Sequence, residues 1–217
     1  MICPNAPVGC VNGGGIYDFR KNEYLWSTTL SQGAVELVEV VMEEVPSCGV
    51  HLNALDGIYC SRENEITEWH RRITGVSTDF AQYRDLTVPV GKVVFCEGNE
   101  ENILKIAEIL KSHPRAGEFD FIRSEKKLYE MLPKGVNKGT LLPRLAEILG
   151  VKMSRTVAIG DYNNDVEMIR RAGVGVAVAN AVPEAKAVAD IVTVSNEESA
   201  IARVIGMIDN GEIKFDL

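Results

Sequence analysis

The sequence predicts an α/β protein in which part of a doubly wound, Rossmann-like core carries an inserted second α/β unit. A short apolar run at residues 156–159, an acidic loop, a helical pattern and a second apolar run at 174–178 form a strand–loop–helix–strand unit. In the middle of the chain, amphipathic helices alternate with hairpin patterns. A chain of 217 residues, 46% of them hydrophobic, is long enough for one large domain or two small ones.

The first strand is predicted around residues 8–11, and the glycines at 13–15 follow it. Three glycines in a row are compatible with a phosphate-binding loop, and the chain would then be a nucleotide-binding module. A strand-like Ile16 and Tyr17 follow them instead of a lysine or a helix. A turn or bulge is therefore the favoured interpretation. We assign residues 1–20 to the core and expect the inserted unit to begin at residue 21.

The inserted unit, residues 21–132, is predicted from two alternating periodicities. Apolar residues at helical spacing predict helices, and alternating polarity bounded by turn residues predicts hairpins. The predicted helices cover residues 34–42, 63–73 and 99–110, the hairpins pair 49–55 with 57–60 and 119–122 with 127–131, and a further strand covers 92–96.

Residues 133–217 return to the core and bring Lys138 to the start of an amphipathic helix. The helix dipole disfavours a cation at this end. A bound anion, shared by the lysine ammonium and the free N–H groups of the first turn, would compensate for that cost. The alternative is a solvated surface lysine with no special role.

The acidic loop contains Asp161 and Asp165, directly after the strand at 156–159. Ligands bind at this edge of open α/β sheets. Carboxylate oxygens are ligands for Mg²⁺, and Asn164 adds an amide that can donate to a phosphate oxygen. The alternative is that Asn163, Asn164 and Asp165 only cap the following helix. Asp161 favours the metal site, because a cap needs no second acid before it.

The formal net charge of −8 argues against nucleic acid or an anionic membrane as the main partner, and no apolar run is long enough to span a bilayer. The five cysteines form no C-x-x-C pair, so we expect reduced, mostly buried thiols in a cytoplasmic protein. We expect no zinc site, because the three histidines stand at no ligand-like spacing to one another or to the cysteines.

Three motifs together resemble one protein family: N-K-G at 137–139, G-D-Y-N-N-D at 160–165 and G-V-G-V-A-V-A-N-A at 173–181. They resemble the Cof-type (class IIB) branch of the haloacid dehalogenase-like (HAD) phosphatases, Mg²⁺-dependent phosphohydrolases with a large α/β cap. The resemblance covers essentially the whole chain and is most specific over 136–202. It implies a hydrolase acting on a small phosphorylated metabolite, with residues 21–132 as the cap domain.

The resemblance also implies roles for four residues. Lys138 would be the catalytic lysine that binds the phosphate and screens the charge of the nucleophile. Asp161 would bind Mg²⁺, with Asp165 supporting the metal directly or through water. Asn164 would contact the phosphoryl group during its transfer.

The family's D-x-D-G-T motif, which supplies the nucleophilic aspartate and the general acid–base, does not occur in the 217 residues. The segment 53–57, N-A-L-D-G, is faintly similar, but Ala54 stands at the nucleophile position and we expect a turn of the inserted unit there. Without those two groups little activity should remain above the uncatalysed reaction. Two hypotheses follow: an impaired phosphatase, or a non-catalytic remnant that binds a phosphorylated ligand or a partner chain. A sheet edge exposed by the missing strand would favour a homo-oligomer.

Overall fold

The computed structural model describes residues 4–215, and the chain divides into two compact units. Unit 1 comprises Met1–Leu25 and Asn137–Leu217, and unit 2 is the segment Trp26–Val136. Our predicted boundaries, after residues 20 and 132, lie a few residues before these. That residues 21–132 act as a cap stays a prediction.

The elements alternate between strands and helices along most of the chain, as an α/β fold requires. The strands are β1 (Val8–Cys10), β2 (Gly15–Asp18), β3 (Glu23–Ser27), β4 (Gly49–Ala54), β5 (Ile58–Arg62), β6 (Asp79–Phe80), β7 (Val90–Cys96), β8 (Phe119–Glu125), β9 (Leu128–Pro133), β10 (Val157–Gly160), β11 (Val174–Ala177) and β12 (Ile191–Val192). The helices are α1 (Ala34–Glu44), α2 (Glu65–Thr74), α3 (Glu100–Ser112), α4 (Lys138–Ile148), α5 (Val166–Arg171), α6 (Pro183–Val188) and α7 (Ala200–Asp209). None of the helices within residues 4–215 combines the length and the apolarity that a bilayer crossing needs.

The N-terminal sheet has the order β1-β2-β3, and β1 runs antiparallel to β2. The chain turns between these two strands through Val11–Gly13, where Val11, Asn12 and Gly13 all have positive φ. The prediction of a turn at the glycines is therefore confirmed. Strand β3 was not predicted, since that stretch was interpreted only as the crossing between the two units.

The C-terminal sheet of unit 1 is parallel, with the order β10-β11-β12. It confirms the strand–loop–helix–strand prediction, because α5 connects β10 to β11. Ile169 of α5 is 1% exposed and packs in an alanine- and valine-rich cluster with Ala177 and Ala185. Among the described residues β10 is paired on one side only, so its other edge is open.

Unit 2 is built on one mixed sheet of six strands, in the order β6-β5-β4-β7-β9-β8. The predicted helices form α1, α2 and α3, and both predicted hairpins are present as antiparallel pairs, β4 with β5 and β8 with β9. One face of the sheet packs in the largest hydrophobic cluster, with α1 and α3. The other face packs with α2 through Ile66. The turn expected at 53–57 is confirmed, since Ala54 N–H donates to the Gly57 carbonyl at 2.9 Å.

Candidate functional site

Lys138 is the first residue of α4, and Asn137 fixes it there. The Asn137 side chain accepts the Thr140 N–H at 2.9 Å, and the Thr140 hydroxyl accepts the Asn137 N–H at 3.0 Å. This reciprocal cap satisfies one of the free donors of the first turn and holds the start of the helix in place. The Lys138 side chain extends from this fixed end and remains 34% exposed.

Two glycines allow other segments of unit 1 to approach the start of α4. Gly13, with φ of +108°, lies so close to Asn137 that a Cβ there would overlap its carbonyl group. A Cβ on Gly139 would lie 2.6 Å from the backbone carbonyl carbon of Glu167 in α5. Glycine is needed wherever two backbones approach this closely. The turn after β1 and the start of α5 therefore both pack directly against the N-terminal turn of α4.

Asp165 lies at the centre of the acidic loop and folds back over Gly160, the last residue of β10. A Cβ on Gly160 would overlap the Asp165 side chain. Asp165 Oδ2 accepts the N–H groups of Asp161 and Tyr162 at 3.0 and 3.2 Å, and Lys138 Nζ donates to Asp165 Oδ1 at 2.6 Å. The Asp165 side chain is only 6% exposed. It makes no capping bond to α5, but its bond from the Tyr162 N–H belongs to a capping box at the 3-10 turn Asn163–Asp165 that leads into α5, so the helix-cap alternative holds in part for this residue.

Asp161 is the exposed carboxylate of the loop. Partial burial raises its pKa, the negative charge of Asp165 raises it further, and the Lys138 ammonium opposes both effects. Two carboxylates therefore share one ammonium in this loop. A hard cation with oxygen ligands would relieve the repulsion between them, so this donor set fits Mg²⁺.

Asn164 is held by a residue that sequence patterns did not single out. Its Nδ2 donates to Asn12 Oδ1 at 3.2 Å, across 152 positions of the chain. Asn12 occupies the left-handed region, with φ of 53°, which asparagine tolerates better than most residues. Its signals in the sequence were its position before three glycines and the similarity of residues 11–18 to the N-G-A-x-I-Y strand of the family. The structure thus brings Lys138, Asp161, Asn164 and Asp165 together with Asn12 inside unit 1.

Two cavities of unit 1 border these residues. One, of about 240 Å³, is lined by Asn12, Gly13 and Lys138 together with leucines of α4. The other, of about 300 Å³, is lined by Gly160 and Asp161 and extends to Ala200 and Ile201 of α7. Lys138 and Asp161 therefore each border a cavity.

Residues 3–205 match the model of a family described as haloacid dehalogenase-like hydrolase. A Bacillus subtilis relative named 5-amino-6-(5-phospho-D-ribitylamino)uracil phosphatase YwtE is 32% identical over 173 residues, which are 73% of this chain and 57% of that protein. A second phosphatase of the same name and organism, YitU, is 27% identical over 205 residues, 90% of this chain and 74% of that protein. YxeH, also from Bacillus subtilis, is 33% identical over 146 residues, 65% of this chain and 53% of its own length.

A solved haloacid dehalogenase-like hydrolase from Bacteroides thetaiotaomicron has a similar fold, with a TM-score of 0.78 and 26% identity. The match covers 91% of this chain and 74% of the Bacteroides chain. This chain thus spans roughly half to three quarters of the length of the relatives described here.

Proposed function

Because the chain belongs to the haloacid dehalogenase-like hydrolase family, we propose that it carries the phosphate- and Mg²⁺-binding part of a phosphatase for a small phosphorylated metabolite. The observation that carries this proposal is the 2.6 Å contact between Lys138 Nζ and Asp165 Oδ1, beside the exposed carboxylate of Asp161. At one edge of the sheet, the two acids can bind a cation and the lysine can bind an anion. This combination fits a phosphate monoester together with its metal ion.

In this proposal Asp161 is the residue that binds Mg²⁺, because its carboxylate is exposed. Both oxygens of Asp165 already accept hydrogen bonds, from Lys138 and from two backbone N–H groups. Asp165 therefore serves mainly as a positioning residue that orients Lys138 and shapes the loop, with a water-mediated contact to the metal. When bound, Mg²⁺ neutralises charge on the phosphoryl oxygens.

Lys138 binds the phosphate together with the free N–H groups at the start of α4, which is the anion-binding end of a helix. Because Asp165 holds the ammonium at 2.6 Å, the lysine is oriented before any ligand arrives. Asn164 Nδ2 donates one hydrogen to Asn12, and its second hydrogen can be donated to a phosphate oxygen. These residues bind and orient the phosphoryl group, and none of them is a nucleophile for it.

Catalysis by the 217 residues alone is proposed to be weak, since the sequence contains no D-x-D motif. The step through a covalent phospho-aspartate needs that nucleophile. A positioned general acid–base, lost with it, is typically worth about 10²–10⁴-fold in rate.

The alternative function is non-catalytic binding of a phosphorylated ligand or a partner chain. It is favoured by the open edge of β10 among the described residues and by exposed apolar side chains in the same unit, of which Ile201 and Ile205 of α7 are 65% and 52% exposed. An unpaired strand edge is a template for pairing with another chain. The same edge supports homo-oligomer formation as part of this alternative.

We also propose that the protein acts in the cytoplasm. The described cysteines are all free, and Cys48, Cys60 and Cys96 are buried, as expected of thiols in a reducing compartment. Cys3 lies outside the described residues.

Thermal unfolding in the presence of Mg²⁺ tests the metal site. Mg²⁺ at about 100 times its Kd should stabilise the wild-type chain by about 2.7 kcal/mol. Asp161→Asn should lose most of this gain, whereas Asp56→Asn, in the exposed turn between β4 and β5, should keep it. An equal Mg²⁺ response of Asp161→Asn and the wild type would overturn the assignment of Asp161.

An assay with an aryl phosphate and Mg²⁺ separates the two functions. The proposal predicts phosphate binding that Lys138→Ala weakens, with turnover close to the uncatalysed rate. Turnover that Lys138→Ala abolishes would show that the chain is not impaired. Phosphate binding that Lys138→Ala leaves unchanged would reject the site itself.

A further inference from the structure

A second group of potential metal ligands lies in unit 2, far along the chain from the acidic loop. Ligand atoms of His51, His70 and Cys96 all lie within 4.8 Å of one another. His51 belongs to β4, His70 to α2 and Cys96 to β7. Our prediction of no zinc site considered only the spacing of histidines and cysteines in the sequence, whereas the fold brings three of them together.

Strand pairing and helix packing bring the three side chains together. In the antiparallel pair of β4 and β7, His51 is opposite Val94 and Gly49 is opposite Cys96. Directly opposite residues share a face, and so do residues two apart on one strand, so His51 and Cys96 project to the same side of the sheet. Helix α2 packs on that side through Ile66, and His70 follows Ile66 by one helical turn.

The two imidazoles face each other but leave one nitrogen without a partner. His51 Nδ1 lies 3.1 Å from His70 Nδ1. His51 is 1% exposed, and its Nε2 is buried without a hydrogen-bond partner. Burial disfavours the charged form of both imidazoles and lowers their pKa values. Neutral imidazole is the form that coordinates metals.

We propose that His51, His70 and Cys96 form a binding site for a divalent transition metal, with Zn²⁺ as the first candidate. Imidazole nitrogen and thiolate sulfur are the ligands that Zn²⁺ and Co²⁺ prefer, in contrast to the oxygens of the acidic loop. Zinc–nitrogen bonds of about 2.0–2.1 Å at a tetrahedral angle place two nitrogens roughly 3.3 Å apart, close to the separation of the two Nδ1 atoms. The imidazole pair therefore needs little rearrangement.

Metal binding forms a bond to Cys96 Sγ, and the thiol proton leaves to solvent. Cys96 is 0% exposed, whereas His70 is only partly buried. The metal would therefore reach the sulfur from the side of His70. Glu130, the buried acid of β9 opposite Val94, is already held by Lys92 at 2.8 Å. Among the residues that the structure describes, these three side chains form the group, and a water molecule would complete tetrahedral coordination of the metal.

Titration of the metal-free chain with Co²⁺ tests the proposal, because a thiolate ligand gives cobalt a characteristic charge-transfer band. We expect saturation at one Co²⁺ per chain, with the band present and Zn²⁺ displacing the cobalt. Cys96→Ser should abolish the band. His70→Gln should weaken binding by more than the roughly 10- to 100-fold that loss of an outer-shell partner costs. His113→Gln, a histidine change on the segment after α3, is the matched control and should bind like the wild type.

His70→Gln decides the question if Cys96→Ser does not fold, because His70 is only partly buried on a helix. Circular dichroism checks the fold of each variant. Absence of saturable Co²⁺ binding, a charge-transfer band that survives in Cys96→Ser, or an equal loss in His70→Gln and His113→Gln would overturn the proposal. Asp161→Asn should retain the band, so failure of the Mg²⁺ site in unit 1 and failure of this site are separate results.

Discussion

The two units of this chain differ in how completely their sheets are formed and buried. Unit 2 has one six-stranded sheet and a continuous cluster of nineteen buried residues. Over its described residues, unit 1 has two three-stranded sheets, an open edge on β10, and clusters of only six and three buried residues. Apolar burial is the main stabilising term in folding. Unit 2 should therefore be the stable unit, while unit 1 depends on close backbone contacts and on charge pairs that also form its candidate site.

Core truncation in unit 2 should have the largest effect. Phe95 is 0% exposed, and Phe95→Ala should lower the free energy of unfolding by about 3–5 kcal/mol. Trp69 belongs to unit 2, whereas Trp26 lies on β3, whose sheet belongs mainly to unit 1, so the fluorescence of Trp69 in a Trp26→Phe background reports the unfolding of unit 2. Denaturation followed by fluorescence should show this loss.

Far-ultraviolet circular dichroism reports both units, so it should show an earlier transition that fluorescence does not follow. Phe80→Ala is the matched control, since Phe80 is 71% exposed, and it should change stability by less than about 0.5 kcal/mol. Coincident transitions by both probes would contradict the difference in stability between the units.

The architecture of unit 2 was predictable because its signals are local. Helices α1 and α3 repeat apolar residues every three or four positions, and β4 alternates Val50 and Leu52 with His51. These periods depend only on backbone geometry. The approach of His51 to Cys96 was not predictable, since it depends on the register between β4 and β7, which no short window of sequence contains.

Adding a methyl group where two backbones of unit 1 meet should give the second largest loss of stability. A Cβ at Gly139 would lie 2.6 Å from the Glu167 backbone, so Gly139→Ala should destabilise unit 1 by about 1–3 kcal/mol and separate α4 from α5. Gly206→Ala in α7 is the matched control, because nothing lies within 4 Å of a Cβ there. It should stabilise the helix by roughly 0.8–1 kcal/mol. Circular dichroism during thermal unfolding measures both, and equal shifts would reject the proposed close contact.

Two lysine–aspartate pairs with the same separation allow the effect of burial on the stability of an ion pair to be measured. Lys138–Asp165 in unit 1 and Lys134–Asp120 in unit 2 are both 2.6 Å apart, but the aspartate side chains are 6% and 35% exposed. Lys138→Ala leaves a buried carboxylate without its cation and should cost about 1–3 kcal/mol, less than for a fully buried pair because the lysine is partly solvated. Lys134→Ala should cost less than about 1 kcal/mol. Urea denaturation measures both, and equal costs would show that Asp165 does not depend on Lys138.

The residues of the candidate site were easier to identify in the sequence than their contacts. The sequence pattern identified the acidic loop because its polar residues directly follow a strand, and it identified the lysine because it starts a helix. These residues are Asp161, Asn164, Asp165 and Lys138. The orientation of Asp165 toward its own loop and toward Lys138, 27 positions away, depends on the space left by Gly160 and on the packing of α4 against α5. Such a contact follows from tertiary structure alone.

Replacing Asp161 should change the free energy of unfolding least. This substitution should stabilise the chain, whereas Phe95→Ala, Gly139→Ala and Lys138→Ala destabilise it. Its pKa is raised above the ordinary value of 3.8, so the folded state binds the proton more tightly than the unfolded state does. The charged form therefore weakens unit 1, and stability is lost as the pH rises from 3.8 through the raised pKa. Asp161→Asn should then stabilise the metal-free chain at neutral pH by at most about 1 kcal/mol, as for other exposed charges.

This gain should disappear below pH 3.8, where the wild-type carboxyl is also neutral. Mg²⁺ should reverse the order at neutral pH, because only the wild type retains the carboxylate that binds it. Thermal unfolding of both chains across the pH range, with and without Mg²⁺, measures all three effects. If Asp161→Asn were less stable than the wild type at neutral pH without metal, the claim that repulsion between Asp161 and Asp165 destabilises unit 1 would be wrong.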